Sequence, residues 1–382
     1  MGRETGAVTP AATPNQAGTT RRDSPEAPLL EVRGLRTYFD TPQGVVRAVD
    51  GVSFALARGK TLGIVGESGS GKTVLSRSIM NLLPRTNVIR EGEILFDGTE
   101  LTQIPEAHLR KLLGARLSMV FQDPMTSLHP VMKVGKQIGE SLQLHLGVTK
   151  AEAREAALAL LRSVHISEPQ KRLDEYPHQL SGGMRQRVMI AIAIACNPEL
   201  LIADEPTTAL DVTVQAQILD LLKEKQDEHG MAMILVTHDL GVVARQADEI
   251  AVVYAGRVVE KASAADLFAN TRMPYTQALF QSIPRIGVKS GERLKAIPGR
   301  PPDLRGNQKG CRFAPRCAYA QDRCREEEPG LQAGPGQGHH FRCWYPVGTP
   351  QGEDALARNA AASSLRASGG LYGPANTGTK GV

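Results

Sequence analysis

The sequence predicts an α/β fold built around a parallel sheet. A short apolar run, 61–65, leads into the glycine-rich stretch 66–73 and then into residues with helical spacing. Further along, apolar runs at 200–203 and 233–236 flank a helical pattern over 212–228. Strand, helix and strand at this spacing indicate parallel strands joined by crossover helices. A chain of 382 residues is long enough for such a core and a second, smaller unit.

Composition argues against two classes of protein. The formal net charge is +5 and the basic residues are scattered, so nucleic-acid binding has little support. The longest unbroken apolar run, 188–196, is too short to cross a bilayer, and no signal-peptide pattern opens the chain. We therefore expect no nucleic-acid partner, and a membrane role only through partner proteins.

The first part of the chain combines a tail with strands. Residues 1–27 are rich in Ala, Thr, Pro and Gly and lack apolar periodicity, so we predict a disordered tail. Apolar patterns at 29–39 and 45–56, separated by a polar turn, are typical of strands. The segment 92–98 is predicted to be a further strand that ends in a turn.

A mostly helical region is predicted from about 104 to 180. The apolar segment 117–121 interrupts it. Thr149 and Glu152 have the spacing of a capping box, which predicts the start of a helix over 151–164.

The last part of the chain begins with a hairpin. Strands are predicted at 251–254 and 257–260, and a helix begins near Pro274. We expect the main domain to span 28–285. The segment 286–346 has many turn residues and four of the five cysteines, and 347–382 returns to a Gly, Ala and Ser bias that predicts a disordered tail.

The glycine-rich stretch matches the pattern G-x-x-x-x-G-K-[ST]. Its residues are Gly66, Glu67, Ser68, Gly69, Ser70, Gly71, Lys72 and Thr73. The glycines let the backbone approach an anion, and the loop amides with the following helix attract its charge. Lys72 would neutralise the β- and γ-phosphates, and the Thr73 hydroxyl would bind Mg²⁺. A glycine turn with a solvated lysine is the alternative, but a strand before and a helix after favour nucleotide binding.

Polar residues follow three other apolar runs. Asp204 and Glu205 end one of them, at the edge of an α/β sheet where ligands bind. Asp204 would hold Mg²⁺, and Glu205 would polarise the attacking water as general base, unless the pair only begins a surface loop. His238 is a candidate γ-phosphate sensor, although a lone histidine is more often structural. Gln122 has a similar position, and an exposed loop glutamine usually has no function.

A second anion-binding helix start is predicted at Ser181, Gly182 and Gly183, ahead of a helix over 185–195. The chain already has one phosphate loop, so this second one would be redundant within one molecule. We therefore expect it to cover a nucleotide held by another subunit, in a dimer with two nucleotides between the subunits.

Together these motifs resemble, in order and spacing, those of ABC transporter ATPases. The matching motifs are Walker A at 66–73, the Q-loop at Gln122, the signature at Leu180, Ser181, Gly182, Gly183 and Met184, Walker B at Asp204 and Glu205, the D-loop at Asp211, and the switch histidine His238. The resemblance covers about 28–285.

The resemblance implies a P-loop ABC ATPase core with a parallel sheet, an antiparallel β subdomain and a helical subdomain. It implies ATP and Mg²⁺ as ligands, and Glu205, His238 and Gln122 as catalytic residues, with Gln122 also on Mg²⁺. Phe39 is similar to the aromatic residue that stacks on adenine in this family. Met184 stands where most of the family has Gln, which leaves the anion-binding start of the helix intact. The implied assembly is a head-to-tail dimer that ATP closes and hydrolysis opens.

Within this family, the chain is most similar to bacterial oligopeptide/dipeptide import ATPases. The stretches that carry this resemblance are 121–130, 176–180, 203–211 and 274–276. It implies two permease subunits, an extracytoplasmic substrate-binding protein, a second identical or related ATPase, and a peripheral place at the cytoplasmic face of the membrane. The helical region around Gln122 would dock a permease helix. Nickel or another small solute is the alternative cargo, and a non-transport ABC ATPase is less favoured.

Four cysteines need their own explanation: Cys311, Cys317, Cys324 and Cys343. Disulfides are disfavoured in a cytosolic ATPase. Zinc suits four thiolates but usually includes a Cys-x₂₋₄-Cys pair, whereas an iron–sulfur cluster tolerates wider spacing. The peptide-importer ATPases are similar in having such an extension, which favours [4Fe–4S]; zinc and unligated cysteines stay open. His339 and His340 are expected to be solvated.

Overall fold

The computed structural model of the chain describes residues 27–208, 210–282, 296–306 and 308–369. Residues 1–26 of the N-terminal tail predicted over 1–27, and residues 370–382 of the tail predicted over 347–382, therefore lie outside the described residues. The strands of the described residues are β1 Leu30–Thr41, β2 Gly44–Leu56, β3 Thr61–Val65, β4 Val88–Phe96, β5 Thr99–Glu100, β6 Leu117–Val120, β7 Leu200–Asp204, β8 Ala232–Thr237, β9 Glu249–Tyr254, β10 Arg257–Ser263, β11 Gln332–Ala333 and β12 His340–Phe341.

Helices are distributed along the whole described chain. They are α1 Lys72–Ile79, α2 Glu106–Leu112, α3 Pro124–Ser127, α4 Val134–Leu146, α5 Lys150–Ser163, α6 Pro169–Arg172, α7 Gly182–Ile194, α8 Val212–His229, α9 Leu240–Gln246, α10 Ala264–Ala269, α11 Pro274–Gln281, α12 Asp322–Glu326 and α13 Pro350–Gly369. In the part of the chain that the structure covers, no helix is both long and apolar enough to cross a membrane.

The central sheet is mixed, with the order β11-β12-β10-β9-β3-β8-β7-β6. The strands from β9 to β6 pair in parallel, and β10 and β12 extend the sheet in antiparallel fashion. Every residue of β3, β7 and β8 is buried. Continuous apolar strands of this kind are typical of a parallel sheet covered on both faces. The predicted parallel sheet is confirmed.

The second sheet is antiparallel, with the order β2-β1-β4-β5. It shares one core with the central sheet, in which Leu30 and Phe54 pack with Ile64 of β3 and Leu75 of α1. This packing brings the end of β1 to the segment that follows β3.

The helical region lies between β5 and β7. Its predicted capping box is present: Thr149 N–H donates to Glu152 Oε2 at 2.8 Å, and Glu152 N–H donates to Thr149 Oγ1 at 3.3 Å. Ile138 of α4, Leu161 of α5 and Val188 of α7 are buried in one core cluster. The region is therefore packed onto the sheet through α7, as well as joined to it by β6.

The chain after 347 is helical over Pro350–Gly369, where a disordered tail was predicted. Ala355 is fully buried, and Asn359 Nδ2 donates to the carbonyl oxygens of Ala318 and Ala320 at 2.8 and 3.0 Å. The prediction interpreted the Ala and Ser bias of this segment as low complexity and therefore as disorder. Alanine is also the strongest helix former, and here a tertiary contact holds the helix in place.

Parallel pairing decides where the candidate site residues lie. The strands β3, β8, β7 and β6 are neighbours, and all point the same way. Their carboxyl ends therefore meet at one edge of the sheet, which we call the carboxyl edge. The glycine loop, His238, the Asp204–Glu205 pair and Gln122 each follow one of these strands.

Candidate active site

A cleft of about 600 Å³ opens at the carboxyl edge. Its size is that of a small-molecule binding site. Lys72 and Thr73 of the glycine loop line one end with Gln122 and Glu205, and Phe39 lines the other. The cleft is thus polar where phosphates were predicted and apolar where a base was predicted.

The glycine loop needs glycine at two of its positions. The backbone of Gly71 has φ +101°, and a Cβ there would lie 2.1 Å from Ala48 O. At Gly66 a Cβ would lie 2.1 Å from Val253 O. Only glycine fits between these carbonyl groups, so the loop closes tightly around the start of α1. Gly71 is the N-cap of α1 and makes no side-chain cap hydrogen bond, so no cap side chain satisfies the amides of the first turn.

Lys72 is the cation of this loop. Its side chain is 4% exposed, and Nζ donates to Gly66 O at 2.8 Å and Glu67 O at 3.1 Å. The Glu205 carboxylate lies 3.9 Å away. Burial lowers the pKa of Lys72, and the nearby carboxylates of Glu205 and Asp204 oppose this effect. The loop carbonyls hold the ammonium group at the cleft, where it can meet a phosphate.

Asp204 and Thr73 form a pair of oxygen ligands. Thr73 Oγ1 donates to Asp204 Oδ1 at 3.2 Å. Asp204 is only 1% exposed, and burial raises its pKa to about 6, with the charge of Glu205 adding to the shift. Carboxylate and hydroxyl oxygens are ligands that Mg²⁺ prefers. A buried carboxylate with a raised pKa gains most from a bound cation, so these residues fit a magnesium site.

Glu205 is the point on which the other polar residues converge. Its Oε2 accepts from Gln122 Nε2 at 2.9 Å and from Thr208 Oγ1 at 2.9 Å, and lies 3.7 Å from His238 Nδ1. Its backbone has φ +46° and its N–H donates to Val236 O at 2.9 Å on β8. A left-handed backbone at a non-glycine residue costs about 1 to 3 kcal/mol and is typical of functional sites. The prediction missed Thr208, whose only sequence signal is its spacing of three from Glu205.

Apolar side chains also line the cleft. Phe39 is one of them, whereas the neighbouring Tyr38 donates its hydroxyl to Asp50 Oδ1 at 2.6 Å on the other face of β1. Leu304 also lines the cleft, and its carbonyl accepts from Arg47 N–H of β2 at 2.9 Å. No local pattern around Leu304 indicates this place, because the contact is with a strand more than 250 residues earlier.

The remaining predicted site residues lie at two helix starts. Ser181 caps α7 and accepts from Met184 N–H at 3.3 Å, while Asp211 caps α8 and accepts from Val214 N–H at 3.0 Å. Within the described residues neither cap contributes to the lining of the cleft. Ser181 and Gly182 are exposed, so the first turn of α7 is open to another molecule.

Comparison with known proteins decides the family. A family model described as "ABC transporter" matches residues 49–208, and one described as "Oligopeptide/dipeptide transporter, C-terminal region" matches 259–324. The dipeptide transport ATP-binding protein DppD of Escherichia coli is 50% identical over 84% of this chain and 97% of its own length. The chain belongs to the ABC transporter ATP-binding proteins. The oligopeptide transport ATP-binding protein OppD of Bacillus subtilis is 51% identical over 79% of this chain and 85% of its own.

Solved structures agree with this ABC ATPase fold. A dimeric post-hydrolysis state of the ATP-binding cassette MJ0796, bound to ADP and Pi, aligns with a TM-score of 0.56 at 28% identity. The alignment covers 62% of this chain and 98% of that one. The predictions of an ABC ATPase fold and of ATP hydrolysis are confirmed by family membership.

The four cysteines of the ABC ATPase's extension line one small cavity: Cys311, Cys317, Cys324 and Cys343. All are free thiols, and burial raises the pKa of Cys311 to about 11 and that of Cys317 to about 12. Among the described residues, however, no three His, Cys, Asp or Glu side chains are arranged to hold a metal ion. The predicted iron–sulfur cluster and its zinc alternative are therefore without support from this arrangement.

His339 corrects another expectation. It was expected to be solvated, but its side chain is fully buried, with Nε2 2.9 Å from Glu260 Oε1 and Nδ1 2.8 Å from Asp266 Oδ2. Burial lowers its pKa, but the two carboxylates raise it more, so the net shift is upward. His339 joins the cysteine-bearing extension to β10 and α10. His340 is exposed, as expected.

Proposed function

We propose that the chain is the ATP-hydrolysing subunit of a bacterial ABC importer for di- or oligopeptides. The observation that carries this proposal is the match over nearly the full length of peptide-transport ATP-binding proteins, extension included. The convergence of four strand ends on one cleft also supports the ATPase part.

We propose roles for the residues of the cleft, and their positions around it support these roles. Lys72 and the amides of the glycine loop would bind the β- and γ-phosphates. Thr73, Asp204 and Gln122 would hold Mg²⁺. That ion, when bound, neutralises charge on the phosphates. Phe39 would stack on adenine.

Glu205 would act as general base. Hydrogen bonds from Gln122 and Thr208 fix one of its carboxylate oxygens, Oε2. The other oxygen, Oε1, would take the proton of the attacking water. His238, on the Oε2 side, would contact the γ-phosphate. The resulting reaction is hydrolysis of ATP to ADP and phosphate.

The second nucleotide contact would come from a partner ATPase. The start of α7, Ser181, Gly182, Gly183 and Met184, is exposed at Ser181 and Gly182 and half-buried at Gly183 and Met184, and none of the four lines the cleft of its own chain. We propose that this turn covers the cleft of an identical or related subunit, with Asp211 at the same interface. The comparison cassette was solved as a dimer, which supports this arrangement.

The test of this arrangement is the variant Glu205→Gln. It should bind ATP, lose turnover and accumulate as an ATP-dependent dimer, measured by light scattering after size exclusion. Adding Lys72→Ala is the matched control, because the double variant should neither bind ATP nor dimerise. Hydrolysis at the wild-type rate would contradict the role of Glu205. A strictly monomeric ATP-loaded sample, even beside its natural partners, would contradict the shared site.

The transport role requires partners in the membrane. We propose two permease subunits, an extracytoplasmic substrate-binding protein and a peripheral position at the cytoplasmic face of the membrane. Co-purification with the permeases separates an importer subunit from a non-transport ATPase. Ligand screening of the cognate binding protein separates peptides from nickel or another small solute.

The four-thiol cavity is where a [4Fe–4S] cluster would be held. Only the number and kind of ligands favour it: four cysteines line one cavity, although the described residues contain no three side chains arranged to hold a metal ion. Iron and sulfide analysis of anaerobically purified protein tests it. Stoichiometric zinc, or neither metal, would contradict the cluster.

A further inference from the structure

Arg316, in the cysteine-bearing C-terminal extension predicted over 286–346, contacts the glycine loop 66–73. Arg316 Nη1 donates to Glu67 Oε2 at 2.6 Å, and Nη2 donates to Glu67 Oε1 at 2.9 Å. This is a bidentate ion pair, the strongest geometry for an arginine and a carboxylate. The Arg316 side chain is only 4% exposed, so water screens the pair weakly.

Arg316 is itself fixed in place. Its Nε donates to Pro298 O at 2.8 Å, and Nη1 also lies 3.3 Å from the Tyr254 hydroxyl. The guanidinium group lies about 6 Å from the ring centres of Tyr254 and Phe313. Because Arg316 has these other partners, the guanidinium position does not depend on Glu67 alone.

Glu67 connects this arginine to Lys72, the proposed phosphate-binding cation of the loop. It occupies a variable position of the G-x-x-x-x-G-K-[ST] pattern, so the pattern assigns it no role. Its carboxylate accepts from Arg316, its carbonyl accepts from Lys72 Nζ at 3.1 Å, and its N–H donates to the Tyr275 hydroxyl at 2.9 Å. One loop residue is therefore held at three points, and one of them leads to the phosphate-binding ammonium group.

The charge of Glu67 makes the pairing matter for ATP. An unpaired carboxylate in the phosphate loop would repel an incoming polyphosphate. Arg316 neutralises this carboxylate from the side away from the cleft: the lining of the cleft, within the described residues, includes neither Glu67 nor Arg316. With Glu67 neutralised, the loop that presents Lys72 adds no unpaired negative charge of its own to those of Glu205 and Asp204.

We propose that Arg316 is a positioning residue for ATP binding, which neutralises and orients Glu67 so that the C-terminal extension forms part of the nucleotide-binding unit. The inference rests on ATP binding at the cleft, and not on the identity of the cargo. Arg316 acts through Glu67 and makes no contact with nucleotide.

The test is the kinetics of ATP hydrolysis by the full chain. Arg316→Ala should raise the KM for ATP about tenfold and leave kcat within about twofold, because the proposed catalytic residues Glu205, Gln122 and His238 are unchanged. Adding Glu67→Gln to Arg316→Ala should bring KM back to within about threefold of wild type, because the repelling charge is gone. Arg325→Ala is the matched control: this exposed arginine of the same extension pairs with Asp322, and KM should not change.

Several results would overturn the inference. An unchanged KM in Arg316→Ala would overturn it. A raised KM that Glu67→Gln fails to restore would also overturn it, because removing a charge cannot repair a loss of packing. If Arg316→Ala does not fold, Arg316→Lys carries the test. It keeps the charge but loses the bidentate geometry, so a rise in KM of about threefold is expected and no rise overturns the inference.

Hydrogen exchange gives a readout that is independent of turnover. Coupling between two sites is reciprocal, so ATP should slow amide exchange in the segment 311–317 of the wild-type chain. In Arg316→Ala, ATP at saturating concentration should no longer slow it. Equal slowing in both proteins would overturn the inference. A wild-type chain that binds ATP but supports no peptide uptake would count against the importer proposal and leave this one standing.

Discussion

In the absence of nucleotide and Mg²⁺, Asp204→Asn should stabilise the protein at neutral pH. Asp204 is buried at the end of β7, and burial raises its pKa from 3.8 to about 6. A shift of this size makes the ionised form about 3 kcal/mol less favourable in the folded chain than in the unfolded chain. Asparagine removes the charge and keeps the oxygen that accepts from Thr73. The variant therefore loses the cost and keeps the hydrogen bond.

The sign of the pH dependence follows from proton linkage. The folded chain holds the Asp204 proton more tightly than the unfolded chain, so the free energy of unfolding falls as pH rises between 3.8 and about 6. Asparagine does not titrate. The advantage of the variant should therefore be under about 1 kcal/mol near pH 4 and should grow to about 3 kcal/mol above pH 7.

Urea unfolding at several pH values measures this difference. Asp50→Asn is the control of opposite sign, because Asp50 is buried but accepts from Tyr38 and Arg257, and its pKa is lowered. That variant should be less stable than wild type at pH 7. A less stable Asp204→Asn at pH 7, or an advantage independent of pH, would refute the reasoning. Asp204→Asn should also lose Mg²⁺-dependent ATP hydrolysis, so its stability should rise while its activity falls.

Three further predictions concern residues that sequence reasoning missed or misplaced. Thr208→Val removes one of the two hydrogen bonds to Glu205 Oε2, so kcat should fall about tenfold while the ATP affinity, measured by a binding titration, stays within twofold; an unchanged kcat would exclude Thr208 from orienting the base. Leu304→Ala shortens an apolar side chain that lines the cleft, so the KM for ATP should rise a few-fold and kcat should be unaffected. Equal KM values in the variant and the wild type would show that adenine does not reach Leu304. The pKa of His339 is raised above 6.5, and its protonated ring stabilises the folded chain, so the wild type should lose thermal stability as pH rises through this raised pKa. His339→Gln should abolish this loss. Melting temperatures that change with pH in the same way in both proteins would contradict the prediction.

Local sequence patterns predicted the central sheet and the cleft well, for a physical reason. The strands β3, β7 and β8 are buried on both faces, so they appear as continuous apolar runs. The proposed binding of phosphate and Mg²⁺ would demand particular residue types in the segments that follow these strands, and Lys72 and Asp204 are therefore recognisable. Parallel pairing then brings them together without further information.

Other features depend on contacts between distant parts of the chain. The strand predicted from residue 92 begins at Val88, because pairing with β1 extends it through exposed residues. His339 has no signal of its own; it is buried because β12 adds to the edge of β10. Arg316 meets Glu67 across 249 positions, and nothing in either neighbourhood indicates the other. Residues of this kind are found only once the fold is known.

Residues that local patterns predict and residues found only from the fold also differ in their effect on stability. The buried charge of Asp204, the lowered pKa of Lys72 and the positive φ of Glu205 all cost free energy in the protein without ligand. Phosphate and Mg²⁺ would relieve the two electrostatic costs, so the residues that chemistry makes recognisable are the ones that weaken the fold. Arg316 and its ion pair with Glu67 lie on the far side of the loop, where they can hold it without meeting the ligand. Many geometries could provide such support, so no fixed sequence pattern is required for it. An ATPase that is missing this support should therefore keep every motif and still bind ATP weakly.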